Sequence, residues 1–488
     1  MSGGETIGVE VVSETDDDRL KSRFKLIVRS AMQYSAGSLI TIVGSILRVG
    51  VAARVLSDTE NGAWLGLQLL LNYGTNAHLG SLFGAYRSVP LLRAKGESAD
   101  ALREKETAFG VILVASVAAV VALGVLAPIV TGVNAIVTLA LASVYLVVNL
   151  LRSYFVTMTK ADSRFKELSV GYALGGIVTL PSLAFVIFWK LNGLLLAMAV
   201  PALVETSYLV RHAGIPRPNI DRLRLRTQLR VGGMTVAITV TTLMLTTADR
   251  TTMLRLCGPE ATGLYYIGAN IVALLPSLTS LPLGVLTPQF FEAVGRGDDI
   301  YPFVERPMKV MSFVVAGVVG IGAALLPTAV HHVWPNHVAG LSAAIVALFS
   351  TSVTVLAGLV TNVYYALDRQ GGLVVIVGGS SLLAFAAAGV GIHLWGGAIV
   401  GAVVGSALVM IIMHFVSITV AMSLMGKTRA AGLRLAATSL VPTACVAGAV
   451  TCVSLIVPGW YAGTVGGAMA MLASIALLLG CFVPVARR

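Results

Sequence analysis

Apolar runs long enough to cross a bilayer recur along the whole chain, separated by short polar breaks. The hydrocarbon core of a membrane is about 30 Å thick and takes ~20 helical residues to span. Fourteen such runs can be drawn, near 30–52, 61–85, 108–130, 133–157, 168–189, 191–211, 229–254, 262–290, 309–331, 339–366, 372–393, 396–424, 432–457 and 461–484. Apolar residues make up 56% of the 488 positions and charged residues only 12%, where a soluble domain carries about 25% charge. The expected fold class is therefore all-α, a polytopic membrane protein of about 14 transmembrane helices. Backbone amides in hydrocarbon find partners within such helices, and little length remains for a soluble domain.

The basic residues test that count, because Lys and Arg collect in cytoplasmic loops. With the N-terminus inside, 29 of the 34 fall in the lead-in, in the loops after spans two, four, six, eight, ten and twelve, and at the C-terminus. Only Arg48, Arg54, Lys190, Arg250 and Arg255 lie in spans or outward loops. Membrane orientation thus accounts for most of the net charge of +11, and no nucleic-acid partner is needed. The chain is placed in the cytoplasmic (inner) membrane with both termini cytoplasmic. Residues 1–29 form an acidic tail and a basic interfacial lead-in. Four cysteines without a CxxC pair read as small packing residues. His331, His332 and His337 share an outward loop at a spacing unsuited to a metal and are expected at the surface. No metal or cofactor is expected.

Two stretches 201 positions apart echo each other: RVLSDTENGAW at 54–64 and RLCGPEATGLY at 255–265. Arg54 matches Arg255, Gly62 matches Gly263, and Trp64 matches Tyr265. Each echo follows the first span of a six-span set, and a polar, proline-containing stretch separates the sets. The expected organisation is a first lobe over 30–211, a linker over 212–228, a second lobe over 229–424, and two extra C-terminal helices within 432–484. Both lobes begin on the same side, so a pseudo-two-fold axis along the membrane normal relates them, with substrate at their interface.

The pattern from Asp249-Arg250 through Gly258-Pro259-Glu260 to Gly263-Leu264-Tyr265, continuing into LPLGVLTPQFFEAVGRGD, resembles the polysaccharide (Wzx-type) flippases. These belong to the multidrug/oligosaccharidyl-lipid/polysaccharide exporter superfamily. The first lobe departs from the pattern: Ser57-Asp58 stands for Gly-Pro, and Ala63-Trp64 for an aliphatic-aromatic pair. The resemblance spans the first twelve helices. It implies a V-shaped cavity lined by spans one, two, seven and eight, alternating access, and a polyprenyl-diphosphate-linked oligosaccharide as cargo. It also implies membrane lipids, a polysaccharide polymerase and export machinery as partners in surface polysaccharide biosynthesis.

Ionisable residues inside spans are costly and mark function by default. Arg48 lies well inside span one, and Asp249-Arg250 near the outward end of span seven. Guanidinium forks suit the phosphate oxygens of the implied cargo, so Arg48 and Arg250 are assigned to the diphosphate, with Arg54 and Arg255 nearer the outer mouth. The competing readings are an Arg250–Asp249 pair, and outer arginines that tie down loops or snorkel to headgroups. Asp249 is also the candidate for ion coupling, while Glu205 reads as a salt-bridge partner. Gln68, Asn72 and Asn76 recur every four residues on one face of span two, lining the cavity or bonding a neighbouring helix. Asn270 is their counterpart in span eight, and His78 reads as a packed histidine.

No enzyme motif is present: Gly426-Lys427-Thr428 looks like the end of a P-loop, but position 421 is Ala and no strand precedes it. A membrane glycosyltransferase would need a sizeable outward loop, and every outward loop is short. The alternative function is a cation-coupled multidrug exporter of the same superfamily, which needs cavity carboxylates that are scarce here.

Overall fold

The computed structural model describes residues 37–131, 135–270, 273, 299–395 and 398–456. Among them there is no strand. The helices are α1 (Gly37–Val55), α2 (Asp58–Gly74), α3 (Ser81–Ala94), α4 (Ser98–Thr131), α5 (Ile136–Ala161), α6 (Phe165–Ala213) and α7 (Arg222–Leu256). There follow α8 (Gly258–Leu264), α9 (266–270), α10 (Tyr301–Val333), a 3-10 turn η1 (Pro335–Gly340), α11 (Leu341–Ala366), α12 (Gln370–Leu394), α13 (Ala398–Leu424) and α14 (Arg429–Ile456). Ten helices among the described residues are long and apolar enough to cross a membrane. The tail and lead-in, the LPLGVLTPQFFEAVGRGD stretch and the fourteenth span lie outside the described residues.

One expected span takes a different form, and two keep theirs. Spans five and six, expected over 168–189 and 191–211, are the two arms of α6. The chain reverses between them at Lys190 (φ 48, ψ −122). A Cβ on Gly193 would stand 1.8 Å from the Phe185 carbonyl oxygen, so glycine allows the reversal. Arg164 donates to the His212 carbonyl at 3.0 Å, joining the two ends of the hairpin. Span two, expected as one helix over 61–85, is broken between α2 and α3. Leu79 (φ 51) and Gly80 (φ 101) are left-handed there.

The apolar core falls into two large clusters. One gathers side chains mainly from α1 to α6, and the other gathers α7 and α10 to α14. α12 and α13 touch backbone to backbone: a Cβ on Gly391 would stand 2.0 Å from the Gly401 oxygen, and the reverse contact is 2.1 Å. Small residues of this kind let helices approach where no hydrophobic force drives them together.

The helix ends that carry the basic loops are tied by ion pairs. Asp162, after α5, takes Lys105 of α4 at 2.6 Å and Arg93 of α3 at 2.9 Å. Arg224 of α7 reaches Asp100 at 2.6 Å and Glu104 at 3.3 Å on α4, and Gln228 donates to Glu104 Oε2 at 2.7 Å.

At the opposite end the two sequence echoes meet each other. A Cβ on Gly62 would stand 1.7 Å from the Pro259 oxygen, and a Cβ on Gly263 would stand 1.8 Å from the Asp58 oxygen. Gly62 and Gly263 are echo partners, as are Asp58 and Pro259, so the contact is self-complementary, like an isologous dimer interface. The helix starts are built by different chemistry. Ser57 and Glu60 form a reciprocal capping box on α2 (Glu60 N–H to Ser57 Oγ 3.3 Å, Ser57 N–H to Glu60 Oε2 2.9 Å). On α8, Gly258 takes φ +84 and Pro259 opens the first turn. The departure of Ser57-Asp58 from Gly-Pro thus keeps the helix start while changing how it is capped.

His337 corrects the surface expectation for its loop, being only 2% exposed. Its Nε2 lies 3.1 Å from the Ala53 carbonyl in α1, and its Nδ1 lies 3.4 Å from the Leu264 carbonyl at the end of α8. Ala53 sits in the last turn of α1, where carbonyls lack helical partners, so the imidazole supplies one. Trp334 Nε1 donates to the Gly50 carbonyl beside it at 2.8 Å.

Candidate substrate-binding site

Arg48 sits two turns before the end of α1 and is half-buried. Its guanidinium donates to Ser45 Oγ at 3.3 Å on its own helix. Tyr145, Tyr266 and Arg152 are its electrostatic neighbours, and no carboxylate is among them. Sequence reasoning placed Arg152 in the loop after span four. The structure puts it inside α5, with Nε 2.7 Å from Glu205 Oε2 of α6 and the guanidinium 5.6 Å from the centre of the Tyr172 ring. Glu205 is buried, and its other oxygen, Oε1, has no hydrogen-bond partner among the described residues. The signal that Arg152 belongs to a span was the length of the apolar run around it. Its partner lies 53 positions away and had no local mark.

The break in span two opens a cavity of about 220 Å³ lined by Thr75, Asn76, His78, Arg152 and Ser153, with Leu82 and Phe83 at the start of α3. Asn72 and Asn76 were expected on one face of a continuous helix, but α2 ends at Gly74. Asn76 Nδ2 donates to the Asn72 carbonyl at 3.1 Å, and Thr75 Oγ1 donates to the same oxygen at 2.8 Å. These side chains therefore close the end of α2. His78 is packed, as expected: it is 4% exposed, its Nδ1 accepts the Gly80 N–H at 3.1 Å, and its ring meets Phe83 edge-on at 5.7 Å.

Asp249 and Arg250 form a second buried polar group, where α7 meets α2 and the end of α8. Asp249 Oδ1 accepts the Arg250 backbone N–H at 2.7 Å, and Oδ2 accepts the Tyr265 hydroxyl at 2.9 Å. The Arg250 side chain forms no salt bridge with Asp249. It reaches across to Gln68 Oε1 at 3.4 Å, and its Nε is buried without a partner among the described residues. Tyr73 and Thr247 link the same helices at 3.4 Å. Asn270 Nδ2 bonds the Tyr266 carbonyl of its own helix at 2.9 Å. Arg54 and Arg255 are exposed at the ends of α1 and α7. The structure thus makes Arg152 an electrostatic neighbour of Arg48 and brings Arg250 to Gln68, with Asp249 beside it.

The backbone matches solved transporters over most of its length. The inward-closed lipid II flippase MurJ aligns with a TM-score of 0.68 at 9% identity, over 93% of this chain and 100% of its own. An inward-facing multidrug resistance MATE family transporter of the MOP superfamily aligns with a TM-score of 0.65 at 12% identity, over 81% of this chain and 99% of its own. This chain has the fold of the MOP-superfamily transporters. A MOP-superfamily transporter from Pyrococcus furiosus aligns with a TM-score of 0.56 at 12% identity, over 82% and 96%. No protein-family model and no curated protein matches the sequence.

Proposed function

We propose that this protein moves a polyprenyl-diphosphate-linked oligosaccharide from the cytoplasmic to the periplasmic leaflet by alternating access. The observation that carries the reading is Arg48: a cation inside a membrane helix with no carboxylate partner among the described residues. Among the described residues the carboxylate paired with its neighbour Arg152 is Glu205, already engaged. A cation within a membrane span without a counter-ion is costly, and an anionic cargo supplies one during transport. In this reading Arg48 and Arg250 hold the diphosphate, the two lobes are 30–211 and 229–424, and the basic loops face the cytoplasm of an inner membrane. The likeness to a lipid II flippase over 93% of the chain supports a lipid-linked cargo.

A multidrug exporter would present carboxylates to a cationic drug. Asp249 does not offer itself so readily, because both its oxygens already accept hydrogen bonds from its own lobe. The test is a chromosomal Arg48→Ala variant at normal protein level. The reading expects lipid-linked repeat units to accumulate on the cytoplasmic face and surface polysaccharide to fall. Normal export sinks the Arg48 assignment, and a changed drug-susceptibility panel with unchanged polysaccharide favours the exporter.

A further inference from the structure

The break in span two leaves a helix start inside the protein. The first turn of a helix has N–H groups without helical acceptors and carries partial positive charge. On α3, no side chain caps that turn. His78 takes two of the donors: its Nδ1 accepts the Gly80 N–H and its carbonyl accepts the Ser81 N–H at 3.0 Å. Leu82 and Phe83, the next two residues, line the cavity.

Three further features converge on the same space. Because Nδ1 of His78 accepts a hydrogen bond, Nε2 carries the proton of the neutral ring. That Nε2–H has no partner among the described residues, and the ring is 4% exposed and lines the cavity. Arg152 lines it too. Glu205 engages Arg152 through Nε, so the terminal nitrogens of the guanidinium keep their donors for another acceptor. Thr75 and Ser153 also line the cavity, with their hydroxyl hydrogens already given to the Asn72 and Asn149 carbonyls, and Asn76 keeps one amide hydrogen beyond its bond to Asn72. Nearby charge is cationic on balance, with Arg48 and Lys160 beside the Arg152–Glu205 pair. The volume of about 220 Å³ equals roughly seven waters. That suits one or two phosphate groups.

We propose that this cavity binds a phosphate oxyanion, held by Arg152, by the Nε2–H of His78 and by the open N-terminus of α3, with Glu205 as the residue that positions Arg152. The proposal deepens the flippase reading and rests on it, since it gives the phosphates of the cargo a place beside Arg48. Helix N-termini and guanidinium groups both bind such oxyanions through charge-assisted hydrogen bonds. The same chemistry would hold a free phosphate ion.

The test uses the purified full-length protein in detergent, titrated calorimetrically with inorganic pyrophosphate and separately with dodecyl diphosphate. The variants are His78→Phe, which removes the ring donor, and the paired Arg152→Met/Glu205→Gln, which removes the ion pair together and leaves no buried lone charge. Size-exclusion profile and Tm report whether each variant is folded. Saturable pyrophosphate binding is expected in the wild type, weakened about tenfold or more in each variant and unchanged in Arg54→Ala. If dodecyl diphosphate competes, the lipid headgroup is the source of the oxyanion; if it does not, free phosphate is. No binding by the wild type, or wild-type affinity in His78→Phe or in the paired variant, overturns the site. A protein that flips a lipid-linked saccharide without binding pyrophosphate here loses the site and keeps the function. One that binds pyrophosphate here but moves only cationic drugs keeps the site and loses the function.

Discussion

Replacing Gly62 and Gly263 by alanine should open the end of the molecule where the two echoes interlock. Each new Cβ would fall 1.7 or 1.8 Å from a backbone carbonyl oxygen of the opposite echo. Backbone cannot swing aside as a long side chain does, so α2 and α8 must part by roughly 1.5 Å to restore contact distance. Overpacking of this kind costs about 1–3 kcal/mol. The cost falls on the interlocked state alone, because separated helices have no clash. Taking ~2 kcal/mol for the pair, the balance moves about 30-fold toward separation, and a separated state populated at about 1% rises to about a quarter. Nitroxide labels at Thr59 and Glu260, exposed echo partners on α2 and α8, read this by pulsed dipolar spectroscopy in proteoliposomes. The double variant should gain a longer-distance population, while Gly317→Ala, with nothing within 4 Å of its added Cβ, should match the wild type. A double variant with the wild-type distance distribution would refute a backbone interlock between the echoes.

Three other substitutions probe the scaffold. His337→Phe removes both carbonyl contacts of the buried imidazole, and the loss of about 1–3 kcal/mol should lengthen the same Thr59–Glu260 distance. Asp162→Asn leaves Lys105, only 15% exposed, without its counter-charge. It should lower Tm, with a cost of about 1–3 kcal/mol, and Lys105→Met in the same chain should recover part of the loss. Gly401→Leu places a branched side chain where the Gly391 oxygen leaves 2.1 Å for a Cβ. It should separate α12 from α13 and abolish a monodisperse gel-filtration peak, whereas Gly379→Leu, with open space at its Cβ, should not.

Long apolar runs and basic loops made most of the fold legible, because a membrane sorts residues by hydropathy and charge with little regard to tertiary detail. The hairpin of α6 fell where Lys190 interrupts two such runs. The break in span two left a weaker mark. Residues 75–80, TNAHLG, contain no proline and continue the polar face of Gln68 and Asn72, so helical periodicity runs through them. Gly80 was the one local hint, and its left-handed φ is imposed by close packing: a Cβ there would stand 2.4 Å from the Gly232 carbonyl carbon of α7. Arg48 and Arg250 were legible as charges inside apolar runs. Arg152 was assigned to a loop, since a charge near a span end looks alike whether it faces water or a buried carboxylate. His337 was misplaced for the same reason. Its partners are carbonyls at 53 and 264, and a contact to backbone leaves no trace in the identity of the partner residue.

The most direct test of an anionic, lipid-linked cargo is a leaflet-exchange assay on the purified protein in liposomes. A fluorescent polyprenyl-diphosphate saccharide is placed in both leaflets, dithionite quenches the outer one, and uptake of a cationic dye is followed in parallel vesicles. Wild-type protein should make nearly all of the lipid signal quenchable without moving the dye. Arg48→Ala should slow lipid exchange about tenfold or more, and Arg48→Lys should restore part of the rate. Ion-driven movement of the dye, with no exchange of the lipid or with exchange indifferent to Arg48, would contradict the proposed cargo.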